Sequence, residues 1–249
     1  MLVRSEDDGA LAIGQLSHSW LSGQLAREWG NERFQAPEPF EEVVLGAAQH
    51  DIGWALVDLD PRLNEDTGLP RGFMETTVEE HLAIWRGAPD MLASQSLDAA
   101  LVVSMHGRSL SQLRASAADG PDARLLEEHV AEEGARQEML CERLGVSEAH
   151  TERTRRQMWT WDSLSLALCL GWRPFVARDV PSREGPLDLQ LRARDEGRWV
   201  VDPWPFAGPR VLVHCEGRRL EGGYVDRQQL REAFAAAPPV RLECLLEAP

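Results

Sequence analysis

The stretch that decides the fold is Leu45 to Ala55, which reads LGAAQHDIGWA. It continues the apolar helical run Val43 to Ala48 and then places a histidine next to an aspartate, His50 and Asp51. Imidazole is the commonest metal-binding side chain in proteins, and carboxylates bind metals too. The pair by itself is equally compatible with two polar residues at a helix end. The surrounding sequence is therefore needed to distinguish a metal site from such a helix end.

On both sides of this stretch the apolar spacing is helical. Apolar positions recur every three to four residues in three segments: Leu21, Leu25 and Trp29; Val78, Leu82 and Trp85; Leu125, His129, Leu140 and Leu144. Thr77 and Glu80 form a capping-box pattern in front of the second segment. Proline and glycine in residues 57–72 predict a long loop directly after the pair. We therefore predict a helical domain over residues 1–171.

After Gly171 the pattern changes to short apolar runs separated by glycine and proline. The runs are Leu187 to Leu191, Trp199 to Val201, Val211 to Val213 and Val240 to Leu246. Such runs predict strands, with a short helix at residues 228–237. The predicted fold class is α+β, mainly α: a helical core with a small C-terminal antiparallel sheet, residues 172–249, packed on it.

The charge balance restricts the partners. The chain has 26 basic and 41 acidic residues among 249, a formal charge of −15, which repels nucleic acids and anionic lipids. All the basic residues are arginine, which excludes chemistry that needs a lysine Schiff base or a P-loop lysine. The segment Met1 to Gly9 is acidic where a signal peptide would be basic and apolar. We expect a cytoplasmic protein with a small-molecule substrate and no nucleic-acid or membrane partner, and the sequence does not indicate an oligomeric state.

Two further residues extend the His50-Asp51 pair to a set of four possible metal ligands. His18 lies 32 residues before His50 in LSHSWLSGQLA (residues 16–26), and Asp162 lies 111 residues after Asp51 in WTWDSLSLAL (residues 159–168). The order His, His-Asp, Asp on separate helices resembles the HD superfamily. The resemblance implies an HD-like all-α core in which His18, His50, Asp51 and Asp162 bind one metal ion.

Two more histidines extend the resemblance to proteins with two metals. His81 lies 30 residues after Asp51, and His106 lies 25 residues after His81. This order resembles both the binuclear HD phosphodiesterases and the diiron HD oxygenases, in which the carboxylate matching Asp51 bridges the ions. The implied cofactor is one or two divalent transition metal ions, Fe, Mn or Zn, which imidazole and carboxylate ligands suit. For His81, a buried core histidine on the face of Val78 and Leu82 is the alternative.

A narrower resemblance covers nearly the whole chain. The segments HDIGWALVDLDPRLNEDTGLPRGF (50–73), HLAIW (81–85), LVVSMHGRSL (101–110) and DPWPF (202–206) resemble the bacterial family labelled domain of unknown function 3891. That family implies no particular activity. The chain departs from many HD hydrolases at Trp54, where they have Lys or His. Arg62, Arg71 and Arg108 are the available replacements, because arginine binds phosphate or carboxylate bidentately.

Three functions are compatible with these patterns. The first is a metal-dependent phosphohydrolase acting on a phosphomonoester or phosphodiester, with an anionic substrate. Its predicted catalytic residues are Asp51, His81, His106 and Arg108, with Arg108 stabilising charge on the phosphate. The second is a diiron oxygenase acting on a small diol or phosphonate. The third is a non-catalytic HD-like module that binds a small molecule or a partner.

Overall fold

The computed structural model describes residues 1–7 and 9–249. Asp8, part of the acidic N-terminal segment, lies outside the described residues. The helices are α1 (Gln15–Glu28), α2 (Phe40–Ala48), α3 (Ala55–Asp58), α4 (Val78–Trp85), α5 (Ala88–Ala93), α6 (Leu97–Ala115), α7 (Gly120–Leu144), α8 (Glu148–Leu170) and α9 (Arg227–Ala236). The strands are β1 (Leu2–Glu6), β2 (Gly9–Ile13), β3 (Leu63–Asn64), β4 (Leu69–Pro70), β5 (Phe175–Val180), β6 (Leu187–Asp195), β7 (Arg198–Asp202), β8 (Arg210–Leu220) and β9 (Pro239–Glu247). None of the helices among these residues is long and apolar enough to cross a membrane.

The main sheet has seven strands in the order β1-β2-β8-β9-β7-β6-β5. Neighbouring strands are antiparallel except β7 and β9, which are parallel. The predicted fold class is therefore wrong: the chain is 50% helical and 23% strand, and a large mixed sheet takes the place of a small antiparallel one at the C-terminus. The sheet also includes the N-terminal hairpin, because residues 10–13 of β2 pair with residues 217–220 of β8.

The N-terminal strands have no clear local signature. Strand β2 reads GALAI, and its last four residues are buried, so the alternation of apolar and polar residues that marks a half-exposed strand is missing. Its partner β8 lies about 200 residues further along the chain, and no local pattern records that pairing. The four apolar runs after Gly171, in contrast, all lie within strands, β6 to β9.

One buried core joins the sheet to the helices that carry the candidate site. It contains apolar residues of β1, β2, β6, β7, β8 and β9 together with residues of α1, α2, α6 and α8. Helix α1 is also bonded directly to β8. The Ser17 hydroxyl donates to the carbonyl of Glu216 at 2.6 Å and accepts from its amide at 2.8 Å, and Gln24 bonds the backbone of His214. Strand β8 thus holds α1 in place through Ser17, the residue next to His18.

A second, smaller cluster packs α4, α5 and α6 against the turn that follows α2. It includes Trp54, Ile84, Trp85, Leu92 and Val103. Helix α4 starts at the predicted capping box, in which the amide of Glu80 donates to the Thr77 side chain at 3.2 Å. The predicted loop at residues 57–72 begins with the end of α3 and is otherwise irregular apart from the short β3–β4 pairing. Trp54 and Trp85 of this cluster also line the cavity at the candidate site.

Candidate metal centre

Three helical segments bring together His18 of α1, Asp162 of α8 and the His50-Asp51 pair just after α2. Nε2 of His18 lies 3.0 Å from Oδ1 of Asp162 and 3.4 Å from Oδ2 of Asp51. Nε2 of His50 lies 3.2 Å from Nε2 of His18 and 3.4 Å from each of the same two carboxylate oxygens. All four residues are buried. Four donor atoms therefore face one point in the interior.

Small residues make this convergence possible. A Cβ atom on Gly23 of α1 would lie 2.5 Å from Cβ of Ala48 in α2, closer than carbon atoms approach. Glycine at this position lets the two helices pack closely, which brings His18 within reach of His50. Gly53 has the same role on the other side, because a Cβ there would overlap the carbonyl oxygen of Ile84. The turn that carries the His-Asp pair is thereby packed directly on the backbone of α4.

The two histidines are held by their other ring nitrogens. Nδ1 of His50 donates to the carbonyl of Ala47 at 2.9 Å. Nδ1 of His18 lies 2.7 Å from the Ser165 hydroxyl, which itself donates to the carbonyl of Asp162 at 2.8 Å. Because a hydroxyl has one proton, Ser165 accepts from His18. Both rings are therefore protonated at Nδ1 and turn Nε2 toward the cluster, as metal-binding histidines generally do.

The four side chains control each other's charge. Burial lowers the pKa of His50, but the charge of Asp51 and the hydrogen bond to Asp162 outweigh it and raise the pKa to about 10. Burial likewise opposes protonation of His18, and its bonds to the two carboxylates still raise its pKa. For Asp51 and Asp162, burial raises the pKa, but the two histidines hold both values well below the usual range. Protons on the imidazoles balance the carboxylates, and a metal cation can take the place of those protons.

His106, in α6, joins a second group of donors. A ring nitrogen of His106, one of His50 and an oxygen of Asp51 all lie within 4.8 Å of one another. Its Nδ1 is buried and has no hydrogen-bond partner among the described residues. This state is energetically costly, and a metal ion or a bound molecule would relieve it. Burial, followed by the charge of His50, lowers the pKa of His106 to about 4, so the ring is neutral at pH 7. His50 belongs both to this group and to the one formed by His18, His50 and Asp162, and Oδ2 of Asp51 lies 3.4 Å from Nε2 of His18.

His81, in α4, is outside both donor groups but lines the same cavity. Its Nε2 lies 2.9 Å from the Ser111 hydroxyl, and that hydroxyl lies 2.9 Å from Nδ1 of His129. Burial, then the charges of Arg114 and His129, lower the pKa of His81 to about 3. Since Ser111 has one proton to donate, it gives it to one histidine and accepts from the other. His129, which the sequence analysis placed only in a helical pattern, is thus coupled to His81 through Ser111.

Arg108 does not face this cavity. Its guanidinium donates to Oε1 of Gln137 at 3.0 Å and packs over Gly134, both in α7. Arg114, which the sequence analysis did not single out, lies further along α6 and does line the cavity. It donates to the Thr76 hydroxyl at 3.0 Å and also to the Thr76 carbonyl. Arg114 is therefore the arginine that the fold offers to a bound anion.

Arg62 and Arg71, the other predicted replacement cations, lie beside a neighbouring cavity of about 330 Å³. Arg71 pairs with Glu80 at 3.3 Å, and Arg62 pairs with the same carboxylate. The two cavities share Trp54 and Thr76 in their walls. Because Glu80 neutralises part of their charge, these arginines are less suited than Arg114 to hold an anion.

The cavity in front of the cluster measures about 400 Å³, within the range of small-molecule sites. The metal-cluster members at its wall are His18, Asp51, His106 and Asp162, with His81 beside them. The rest of its lining is mostly apolar: Trp54, Phe73, Met74, Trp85, Leu110, Leu113, Ala117 and Leu166, with Gln15, Thr76, Arg114 and Ser116. The site therefore combines a polar cluster with apolar walls and one unpaired arginine.

These features describe a cavity enclosed by helices on a mixed sheet, with a His/Asp cluster in its wall that could hold a metal ion. A family model described as "Protein of unknown function (DUF3891)" matches residues 1–222, and the chain belongs to that family. The matched region contains the whole candidate site and ends before α9 and β9. The resemblance to this family seen in the sequence is thus confirmed. No curated protein and no solved structure matches the chain.

Proposed function

We propose that this chain is a metal-dependent phosphohydrolase of the HD type that acts on a small phosphomonoester or phosphodiester in the cytoplasm. The observation that supports it most is the convergence of His18, His50, Asp51 and Asp162 on one point, with both Nε2 atoms directed inward. Two imidazoles and two carboxylates form a donor set that suits Fe, Mn or Zn.

The residues present fit one ion, and His106 adds a further nitrogen donor beside it. His18, His50 and Asp162 form one group of donors, and His50, Asp51 and His106 form another. The buried Nδ1 of His106, which lacks a partner among the described residues, is the kind of atom that such an ion or a substrate would satisfy. His50 is common to both groups, and because its Nδ1 donates to Ala47, only its Nε2 is left to bind an ion.

When bound, a metal ion polarises a phosphoryl oxygen and lowers the pKa of a coordinated water. The chain's own residues supply the rest. Trp54, Trp85 and Leu166 exclude bulk water from the cavity, which strengthens every charge interaction inside it. His81 stands outside the donor groups and is neutral at pH 7, so its ring can accept a proton from the attacking water rather than supply one.

Metal analysis combined with a generic substrate tests this function. Protein purified without chelator is analysed for metals and assayed with p-nitrophenyl phosphate and bis-p-nitrophenyl phosphate, with Mn²⁺ or Zn²⁺ added after chelation. We expect at least one ion per chain and metal-dependent release of nitrophenol. The Asp162→Asn variant should lose both, while Asp90→Asn, which changes an exposed carboxylate paired with Arg136, should lose neither.

Two other outcomes would replace the proposal. Coupled iron together with an O₂-dependent reaction and no phosphoester cleavage would favour the oxygenase. Less than stoichiometric metal that added ions do not restore would favour a non-catalytic binding module.

A further inference from the structure

The cavity is chemically different at its two ends. The His/Asp cluster forms one end, and its members are nearly completely buried. At the other end stand Met74 and Leu113, which are 80% and 61% exposed and therefore mark the opening. Arg114 follows Leu113 in α6 and is itself partly exposed. An arginine thus stands at the entrance of a cavity whose floor is the candidate metal centre.

The helix itself gives the spacing between these ends. His106 and Arg114 both belong to α6 and are eight residues apart. At 1.5 Å per residue their backbones are separated by about 12 Å along the helix axis. The guanidinium is held at Thr76 by two hydrogen bonds, one to the hydroxyl and one to the carbonyl. Arg114 is therefore fixed away from the cluster, with N–H groups left over for a second acceptor.

Apolar walls connect the two ends. Leu110 lies between His106 and Arg114 on α6, and Trp54, Phe73 and Trp85 complete the passage. A phosphate group alone would leave these walls in contact with water and Arg114 unused. A ligand that fills the passage buries apolar surface, which contributes about 25 cal/mol per Å².

We propose that the substrate is the phosphoester of an apolar alcohol that carries a second acidic group, and that Arg114 binds this second group at the cavity entrance. The inference rests on the proposed phosphohydrolase function, because that function places the phosphate at the metal end. Arg114 is then a specificity-determining residue that selects bifunctional acids of suitable length.

Calorimetric titration of the metal-loaded protein with non-hydrolysable probes tests the inference. The first probe, 6-phosphonohexanoate, has a phosphonate, an alkyl chain and a carboxylate. The second, hexylphosphonate, has the phosphonate and the chain, and the third is inorganic phosphate alone. We expect 6-phosphonohexanoate to bind about tenfold or more tightly than hexylphosphonate, because hydrogen bonds to a charged group are worth about 1.5–3 kcal/mol. Hexylphosphonate should in turn bind more tightly than phosphate.

Arg114→Met, which keeps an unbranched side chain without the charge, should remove the advantage of the carboxylate and leave the Kd of hexylphosphonate within about twofold. Arg86→Met, on the exposed end of α4 where Arg86 pairs with Glu132, is the matched control and should leave all three values unchanged. Equal affinities for the two phosphonates in the native protein would overturn the inference. A loss of both phosphonates in Arg114→Met would also overturn it, since Arg114 would then bind the phosphorus end.

Hexanoate, which has the chain and the carboxylate but no phosphorus, separates this inference from the function on which it rests. One outcome is that hexanoate binds in an Arg114-dependent way while neither phosphonate binds at the metal end. In that case Arg114 does bind an acidic group at the cavity entrance, and the phosphohydrolase proposal is wrong. If the phosphonates bind and hexylphosphonate matches 6-phosphonohexanoate, the phosphohydrolase proposal stands and the role of Arg114 is wrong.

Discussion

The Ser165 hydroxyl lies 2.7 Å from Nδ1 of His18 and thereby determines which nitrogen of that ring faces Asp162. The hydroxyl belongs to α8, three residues after Asp162, so the same helical turn supplies a carboxylate of the candidate metal centre and the group that orients the neighbouring His18. Such supporting hydrogen bonds usually affect metal affinity by a factor of 10–100.

Replacing Ser165 by alanine should therefore weaken metal binding by about 10- to 100-fold while the protein stays folded. The affinity is measured by competition with a chromogenic chelator. Ser163→Ala is the matched control on the same helix, because that hydroxyl only donates to the carbonyl of Trp159, at 2.7 Å. Equal metal affinities for the two variants would show that Ser165 does not orient His18.

Replacing Asp51 by asparagine should abolish metal binding and phosphoester hydrolysis together. The amide keeps the shape of the side chain but no longer offsets the charge of a cation. Elemental analysis after gel filtration gives the metal content, and circular dichroism checks the fold. A variant that retains its full metal content would show that Asp51 is not a ligand.

The stability of the metal-free protein should depend on pH on both sides of neutrality. The pKa of His50 is raised from 6.5 to about 10, so the folded protein holds a proton that the unfolded chain releases. This stabilisation is complete below about pH 6.5 and is lost as the pH rises toward 10. The pKa of His106 is lowered to about 4, so stability is also lost as the pH falls from about 6.5 toward 4. The melting temperature in the presence of a chelator should therefore be highest near pH 6.5.

Added metal should prevent the loss of stability above about pH 6.5, because the ion replaces the proton of His50. Thermal unfolding between about pH 5 and pH 10, with chelator and with Mn²⁺, measures both effects. Metal-free protein that is as stable at pH 9 as at pH 7 would contradict the raised pKa of His50.

Gly23→Ala should destabilise the protein by about 1–3 kcal/mol, because the new Cβ atom would lie 2.5 Å from that of Ala48 and separate α1 from α2. Metal affinity should fall with it, since His18 moves with α1. Gly87→Ala is the control, because a Cβ atom there meets nothing within 4 Å. Urea unfolding gives the two free energies. A Gly23→Ala variant as stable as Gly87→Ala would show that the close approach of the helices is not required.

The candidate site was predicted because its residues match a known ordered set, whereas the sheet pairing had no such guide. The set His18, His50, Asp51 and Asp162 was implied by the resemblance to the HD superfamily, and the structure brings these four residues together. The pairing of β2 with β8 depends on residues about 200 positions apart, which no local pattern records.

The choice between Arg108 and Arg114, in contrast, is decided by helical periodicity. Arg108 is two residues from His106, which at 100° per residue turns it by about 200° toward the opposite face of α6. Leu110 and Arg114 follow at four and eight residues and remain on the side of His106. Proximity in sequence favoured Arg108, and the period of 3.6 residues, applied to the same helix, favours Arg114.

Replacing Ser111 by alanine should separate proton transfer from metal binding. The change interrupts the chain from His81 through the hydroxyl to His129, so the tautomer of His81 is no longer fixed. We expect unchanged metal content, a similar KM, and a kcat on the phosphoester lowered by about 10- to 100-fold, with an altered pH profile, because a positioned general base contributes about 10²- to 10⁴-fold. Ser111→Thr, which keeps the hydroxyl, should restore part of the kcat.

Ser109→Ala is the matched control for this measurement. Its hydroxyl donates to the carbonyl of Met105 at 2.8 Å within α6, so its loss should leave kcat and the pH profile unchanged. If Ser111→Ala instead loses metal, the chain ending at His81 supports an ion and His81 belongs to the metal centre, as the resemblance to the two-metal proteins implied. If kcat and the pH profile match those of Ser109→Ala, His81 takes no part in proton transfer and its hydrogen bonds serve only to satisfy buried polar atoms.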